Sequence, residues 1–199
     1  MPSSANLPSS VAEAVDALEA GTDAEVVVVI VGRSGSYDDV AAAAGVAVTA
    51  ATLAFLCWSP WLFDARHFPI DLALVYAVVF LVVRGLPAVT RAFAGRRRLV
   101  EQVRAAARAA FVDENVHGTV DRLGLLVYWS RTERRVELVP DQGLLGRVPP
   151  DAWPALDVGT DDPEAFLAAL PRLGAVLATY APATGQNPNL LPNAPRVRP

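Results

Sequence analysis

The chain contains no lysine, one cysteine and two histidines among its 199 residues, and the scarcity of cysteine and histidine excludes two kinds of site. Because Cys57 has no second cysteine to pair with, an intrachain disulfide is impossible and no oxidising compartment is indicated. His67 and His117 are too few for a histidine-rich zinc site. The formal net charge of −4 argues against nucleic acid as a general partner, since nucleic-acid-binding domains carry clustered positive charge.

Strong catalytic and nucleotide-binding motifs are also missing. Residues 33–39 follow an apolar run and contain glycine and serine, but they have neither the G-x-G-x-x-G nor the G-x-x-x-x-G-K spacing. We interpret them as a connector, with an anion site built from backbone amides as the alternative. Residues 1–10 have no positive region ahead of an apolar core, so no signal peptide is expected.

Two long apolar runs, separated by a short polar turn, dominate the middle of the chain. Residues 40–62 carry no charge, and residues 69–87 form the second, shorter run. Because a helix needs about 20 apolar residues to cross a bilayer, we predict a membrane-spanning helical hairpin over residues 40–90. Trp58 and Trp61 would lie at the level of the lipid headgroups. The alternative is a buried helical hairpin in a soluble core.

The arginines predict the orientation of this hairpin. They are concentrated after the second run, whereas the turn between the runs carries only Arg66. The arginines expected at the membrane interface are Arg84, Arg91, Arg96, Arg97 and Arg98. Since arginines that flank a span stay in the cytoplasm, residues 1–39 and 91–199 are both expected there. Every basic residue apart from the two histidines is arginine, and alanine and valine are abundant. This composition is typical of proteins encoded by a GC-rich bacterial genome. The predicted location is therefore the inner (plasma) membrane of a bacterial cell, crossed twice.

The segments that flank the hairpin show the spacing of helices and strands. Ser10 and Glu13 form a capping box, which predicts a helix that runs from Ser10 to a left-handed cap at Gly21. Residues 25–32 contain an unbroken run of six valine and isoleucine residues, which is typical of a strand buried on both faces. Residues 96–114 have the apolar spacing of a helix, which would continue directly from the second span.

Three further elements are predicted after that helix. Residues 123–129 form a second buried strand, and residues 134–140 pair with it as an antiparallel hairpin. Asp162 caps a helix that begins at Pro163. Pro171 is expected to kink that helix or to split it in two.

Together these elements predict one discontinuous α/β domain. Residues 1–39 and 91–185 would form it, residues 40–90 the inserted hairpin, and residues 186–199 an extended tail. Because the two buried strands are joined through a helix, we expect them to be parallel, with a right-handed crossover and helices on both faces of a small mixed sheet.

Five segments on either side of the predicted membrane hairpin resemble segments of a known protein family. They are residues 24–40, 108–119, 123–144, 148–153 and 187–193. They resemble the TPM-domain family, and in particular its bacterial membrane branch, most specifically at residues 33–37 and 133–137. The resemblance implies a three-layer α/β/α sandwich with an inserted transmembrane α-helical hairpin. Other branches of the family are described as calcium-binding proteins, candidate acid phosphatases, and factors in photosystem repair or receptor modulation, and no settled activity attaches to this branch.

Candidate functional residues are few. Asp38 and Asp39 follow the carboxyl end of the first strand, where α/β sheets form ligand crevices, and carboxylates suit a hard cation such as calcium or magnesium. Arg131, Arg134 and Arg135 cluster near a turn. They would either face solvent or dock an acidic partner or lipid headgroups.

Two functions from different classes remain. The first is a membrane-anchored, non-enzymatic interaction or assembly module at the cytoplasmic face, with the lipid bilayer and another membrane protein as partners. The alternative is a divalent-metal-dependent phosphatase. We favour the first, because the sequence offers no convergent Asp/His constellation and no nucleophile motif.

Overall fold

The computed structural model of the chain describes residues 6–59, 64–154, 162–185 and 190–198. The strands are β1 (Glu25–Val31), β2 (Gly124–Ser130), β3 (Arg135–Pro140) and β4 (Arg196–Arg198). The α-helices are α1 (Leu7–Glu19), α2 (Asp38–Trp58), α3 (Phe68–Gly85), α4 (Pro87–Ala94), α5 (Arg96–Asp113), α6 (Gln142–Arg147) and α7 (Pro163–Tyr180). The predicted α/β class is therefore confirmed.

The chain divides into two compact units. The first, called the sheet unit, comprises Met1–Ser34 and Val100–Pro199. The second, called the hairpin unit, comprises Gly35–Leu99. Along the sequence, the hairpin unit interrupts the sheet unit between β1 and the body of α5.

A mixed sheet forms the centre of the sheet unit, and its four described strands have the order β3-β2-β1-β4. β1 pairs in parallel with β2, from Glu25 opposite Gly124 to Val31 opposite Ser130. β3 pairs with β2 in the antiparallel direction. The parallel pair and the antiparallel hairpin that the apolar runs predict are both confirmed.

Both β1 and β2 are buried along their whole length, as unbroken apolar runs predict. Successive side chains of a strand point to opposite faces, so β1 contributes to two separate apolar clusters. Val26 and Val28 join side chains of α1 and α7, whereas Val27 and Val29 join side chains of α5. An apolar environment on either side explains why these strands carry almost no polar residues.

The hairpin unit contains two helices that are long and apolar enough to cross a membrane, α2 and α3. They have 21 and 18 residues, which corresponds to about 31 and 27 Å at a rise of 1.5 Å per residue. The two helices meet where Gly45 lies against the ring of Tyr76. A Cβ atom at position 45 would lie 2.8 Å from two carbons of that ring, so this close approach requires glycine.

The first helix begins earlier than the capping box predicts. α1 starts at Leu7, because Pro8 fits the first turn of a helix, where its missing N–H is not needed. Ser10 lies inside the helix, so its predicted capping role is wrong. The predicted glycine cap is wrong as well, because Gly21 does not adopt a left-handed backbone conformation.

The prediction that the second span continues into α5 is wrong. Leu86 is extended, with φ −106° and ψ 105°, and it ends α3. Pro87 then starts the separate helix α4, where proline is well suited to the first turn. Gly95 has a φ of 74°, so the chain turns again before α5 begins at Arg96.

Pro171 does not split α7, which runs unbroken through it. Leu170 and Leu173, on either side of the proline, are both buried in the same cluster, and this packing keeps the two halves in one helix. The predicted start of the helix is confirmed. The side chain of Asp162 accepts a hydrogen bond from the backbone N–H of Glu164 at 3.0 Å.

The fourth strand lies in the part of the chain that was predicted only to be an extended tail. Arg196, Val197 and Arg198 pair in parallel with Val29, Ile30 and Val31 of β1. A three-residue strand with two charged side chains has too little apolar patterning to be recognised in a sequence. Its place in the sheet is therefore a feature that sequence reasoning missed.

A buried threonine closes the junction between α3 and α4. Because Pro87 has no N–H, the carbonyl of Val83 loses the donor that a continuous helix would supply. The hydroxyl of Thr90 donates to that carbonyl instead, at an O···O distance of 2.5 Å, and Thr90 is fully buried. Its backbone N–H donates to the carbonyl of Leu86 at 3.0 Å. One residue thus satisfies two carbonyls at the break.

Replacing Thr90 with valine removes the hydroxyl and keeps the shape of the side chain. The carbonyl of Val83 would then be buried without a donor, so we expect Thr90→Val to lower the unfolding free energy by about 1–2 kcal/mol. Thermal denaturation of the detergent-purified protein measures this. Thr90→Ser keeps the hydroxyl and is the control; equal stability of the unmodified chain and Thr90→Val would contradict the assigned role.

Candidate functional site

Charged and aromatic side chains meet in the hairpin unit where α2 begins and α3 ends, and this group is called the hairpin base. It consists of Tyr37, Asp38, Asp39, Arg84 and Arg98. The Nε atom of Arg84 lies 3.5 Å from Asp38 Oδ1. The guanidinium of Arg98 donates two hydrogen bonds to Asp39, at 2.6 and 2.7 Å. The same guanidinium lies 5.8 Å from the centre of the Tyr37 ring.

Helix electrostatics favour these side chains at these positions. Asp38 and Asp39 lie in the first turn of α2, where negative charge interacts favourably with the helix dipole. Arg84 lies in the last turn of α3, where positive charge does the same. The contact between Asp38 and Arg84 therefore joins two helix ends of opposite partial charge. The two hydrogen bonds from Arg98 to Asp39 form a bidentate contact, which a guanidinium group can make and a lysine ammonium group cannot.

The hairpin base combines two predicted sets of residues. Asp38 and Asp39 were predicted as calcium or magnesium ligands, and Arg84 and Arg98 as membrane-interface residues; each carboxylate faces one of these arginines. A cation at Asp39 would have to compete with the guanidinium of Arg98. Among the described residues, no group of three or more His, Cys, Asp or Glu side chains is arranged to hold a metal ion. Metal binding by this aspartate pair stays a prediction.

The other predicted interface residues are spread over three helices. Trp58, at the end of α2, is 84% exposed, and Trp61 lies outside the described residues. Arg91 is in the last turn of α4. Arg96 and Arg97 begin α5 and are exposed. A membrane contact by these residues stays a prediction.

A second polar group occupies the carboxyl ends of β1 and β2 in the sheet unit, and it is called the strand-end cluster. It consists of Ser34, Tyr128, Ser130 and Glu133. The carboxylate of Glu133 accepts hydrogen bonds from the backbone N–H of Ser34, at 3.1 and 3.3 Å to its two oxygens, and from the hydroxyl of Ser130. The hydroxyl of Ser34 donates to the phenol oxygen of Tyr128 at 3.4 Å. Glu133 thus holds the backbone where the chain leaves β1.

Burial sets the electrostatics of the strand-end cluster. Glu133 is only 4% exposed, so its hydrogen bonds compensate a carboxylate that is almost fully removed from water. Burial also raises the pKa of Tyr128 above its ordinary value; the hydroxyl of Ser34 and the charge of Arg198 act in the opposite direction, and Glu133 adds to the rise. Sequence reasoning missed this cluster. The available signal was a glutamate in a turn directly after a buried strand that ends in serine.

The predicted docking arginines lie on the same turn. Arg131 and Arg134 are exposed, and Arg135 is half-buried at the start of β3. Arg134 has a φ of 54°, in the left-handed region that a tight turn requires. The backbone N–H of Arg131 donates to the carbonyl of Val31 at 3.0 Å, which ties the turn to the end of β1. The structure therefore brings the three arginines together, and their docking role stays a prediction.

An acidic cavity of about 350 Å³ lies at the amino end of β1. Its lining includes Asp16, Glu19, Asp23, Glu25 and Asn193. Glu19 accepts a hydrogen bond from the backbone N–H of Val26 at 2.7 Å. Burial raises the pKa of Glu19 from its ordinary value of 4.5 to about 7, and the charges of Glu25 and Asp16 add to the rise, while hydrogen bonds from Val26 and Asn193 oppose it.

Comparison with known proteins connects the chain to one solved fold. It is similar to the NMR structure of the BA42 protein from the psychrophilic bacterium Bizionia argentinensis, with a TM-score of 0.57. The match covers 99% of this chain and 96% of that one at 14% sequence identity, so the likeness shows a shared fold alone. No protein-family model and no curated protein matches the chain.

Glu133→Gln tests the strand-end cluster. The substitution removes the charge from a buried acceptor, so we expect the unfolding free energy to fall by about 1–3 kcal/mol. We also expect faster amide hydrogen exchange at Ser34, whose N–H the carboxylate holds. Urea denaturation and hydrogen-exchange mass spectrometry measure the two effects. Glu13→Gln, an exposed change on α1, is the matched control, and equal exchange rates at Ser34 in both variants would rule out the proposed restraint.

The raised pKa of Glu19 predicts a pH dependence of stability. Between about pH 4.5 and 7 the folded chain holds a proton on Glu19 that the unfolded chain releases. This group therefore stabilises the fold at low pH, and its contribution is lost as the pH rises to about 7. Since Glu19→Gln is neutral at every pH and keeps the acceptor oxygen, we expect it to be more stable than the unmodified chain at pH 8. The expected gain is about 1–2 kcal/mol, discounted for the solvent that reaches this half-buried group, with little difference at pH 5.

Denaturation midpoints recorded across this pH range measure the effect of Glu19→Gln. Glu13→Gln, on the same helix, controls for the loss of one surface charge. A stability difference that does not change between pH 5 and pH 8 would contradict the assignment.

Proposed function

We propose that the chain is a membrane-anchored interaction module of the TPM type. In this proposal the hairpin of α2 and α3 crosses the inner membrane of a bacterial cell, and the sheet unit is a three-layer α/β/α sandwich that binds partners on the cytoplasmic side. The observation that carries the proposal is the outward-facing apolar surface of the hairpin.

Large apolar side chains on α2 and α3 point outward instead of into a protein core. In the most apolar 18-residue stretch of each helix, 17% of the residues are buried in α2 and 6% are buried in α3. The exposed side chains are Val46, Val48, Leu53, Phe55 and Trp58 on α2, and Ile70, Leu74, Val78, Leu81 and Val82 on α3. Each such side chain gains about 1.5–3 kcal/mol on leaving water. A lipid environment would satisfy this surface, whereas the soluble-core alternative would require burial that the hairpin unit lacks.

The distribution of charge supports an orientation with the hairpin base in the cytoplasm. Asp38, Asp39, Arg84 and Arg98 lie together at that end. The turn between α2 and α3 carries a single arginine, Arg66. Because positive residues beside a span stay cytoplasmic, the arginine-rich end is the inner one. The chain enters and leaves the hairpin unit at positions next to these residues, which supports a cytoplasmic sheet unit.

An interaction role, rather than catalysis, is supported by the turn of residues 131–134 between β2 and β3. Arg131 and Arg134 are exposed, and Glu133 of the same turn is hydrogen-bonded to Ser130 and to the backbone of Ser34, which ties the turn to the ends of β1 and β2. Pre-organised arginines recognise carboxylates with high geometric specificity. The proposed partner of this turn is an acidic segment of another membrane protein.

Cysteine labelling tests the anchor and its orientation. In a Cys57→Ser background, Ala65→Cys places a thiol in the turn between the spans, and Arg172→Cys places one on the exposed side of α7. We expect a membrane-impermeant maleimide to label position 65 in intact spheroplasts. Position 172 should be labelled only after the membrane is permeabilised.

Alkaline carbonate extraction of the same membranes provides the second measurement, and the chain is expected to stay in the pellet. Release into the supernatant would contradict membrane anchoring. Labelling of position 172 alone in intact spheroplasts would reverse the proposed orientation.

A further inference from the structure

The segment of residues 190–198, called the tail segment, lies along the side of β1 opposite β2 and is held by three carboxylates, in β1, in α1 and directly after α5. The first is Glu25, in β1 itself, which is 2% exposed. Its two oxygens accept hydrogen bonds from the backbone N–H groups of Leu190 and Leu191, at 3.1 and 2.9 Å. A buried carboxylate that accepts two backbone bonds fixes the position of the segment before it reaches the strand.

The remaining carboxylates hold side chains of the tail segment. Asn193 donates a hydrogen bond to Asp16 on α1. Directly after α5, Glu114 contacts both arginines of β4, with distances of 3.0 Å to Arg196 and 2.6 Å to Arg198. Two arginines separated by one residue therefore share one glutamate. Only an extended segment whose arginines are two residues apart can place both guanidinium groups against Glu114 in this way.

Apolar burial contributes little to this attachment. None of the residues 190–198 is buried, and the side chain of Val197 in β4 is 62% exposed. Leu191 alone packs, partly buried, against an apolar cluster of the sheet unit. Helices α1 and α7, by contrast, contribute fully buried side chains to the core. Detachment of the tail segment would therefore remove little apolar contact from the core.

An empty place beside β1 would be costly. β1 has a Val-rich sequence, and its edge from Val29 to Val31 pairs with β4. Without a neighbour, that edge would expose unpaired N–H and C=O groups, which are a template for aggregation. A chain without the attached tail segment would therefore offer this edge to another strand.

We propose that the tail segment is an exchangeable edge strand, and that its place along β1 is also taken by the tail segment of a second copy of the chain. A second copy is the occupant argued here because its tail segment reproduces every contact with Glu25, Asp16 and Glu114, so exchange loses no interaction. The inference rests on the proposed function in one respect: anchoring in a membrane confines the copies to one plane and raises their effective concentration.

Crosslinking between differently tagged copies tests the exchange. In the Cys57→Ser background, Asp16→Cys is placed in one copy and Asn193→Cys in the other, since these two side chains are in contact. The full-length copies are co-expressed, and a short bismaleimide is added to the membranes. We expect a covalent heterodimer carrying both tags, several-fold above the homodimers formed by either variant alone. A single chain with both cysteines is the control for the chemistry, and it should also yield an internally linked monomer.

A charge reversal in the accepting copy decides whether the heterodimer reports strand exchange. Glu114→Arg in the Asp16→Cys copy would repel Arg196 and Arg198 of the incoming segment, so the heterodimer should fall to the background level. If the heterodimer persists unchanged in the presence of Glu114→Arg, it reflects proximity alone and the proposal is wrong. The proposal is also wrong if the double variant is linked internally but no heterodimer forms between the single variants. Absence of both products would contradict the position of the tail segment itself. Carbonate extraction tests the anchor separately, so a chain that exchanges but is extracted would contradict the anchor alone.

Discussion

The parallel pairing of β1 with β2 is the constraint on which the remaining structure depends. Parallel neighbours cannot be joined by a tight turn, so the chain that leaves β1 at Val31 must return to the opposite end of the sheet before β2 begins at Gly124. In this protein the connection contains the whole hairpin unit as well as α5. Glu133 fixes the point of departure through the N–H of Ser34. The returning helix contributes Val103, Ala107 and Ala110 to the apolar cluster on one face of the sheet.

Much of this fold could be predicted, because apolar patterning is a local signal. The apolar runs of residues 26–31 and 125–129 are unbroken, so their strands and the parallel direction of the pair follow from burial and from the helix between them. Features decided by tertiary contacts could not be predicted in the same way. Pro171 is tolerated inside α7 because leucines on both sides are buried, and no local propensity contains that information. The tail segment is held by carboxylates that are far away in sequence: Glu25 binds the backbone of Leu190 and Leu191, and Glu114 binds the arginines of β4.

The same distinction applies to the candidate sites. Residue types indicated that Asp38, Asp39, Arg84 and Arg98 matter, but their pairing depends on which helix ends meet, and spacing in the sequence does not specify that. Every positive side chain apart from histidine is a guanidinium, which stays charged at any physiological pH and makes forked contacts with carboxylates. Which arginine pairs with which carboxylate, in the hairpin base and at β4, is therefore determined by the geometry of the contacts more than by net charge.

The long connection also affects how the chain is made. Roughly 90 residues separate the end of β1 from the start of β2, and a ribosome that adds about 5–20 residues per second needs roughly 5–20 s to synthesise them. During this interval β1 has emerged without its partner, and residues 26–31 combine high β-propensity with no charge, as aggregation-prone segments do. β1 is thus exposed to aggregation during translation, until residues 124–130 have been synthesised and can pair with it.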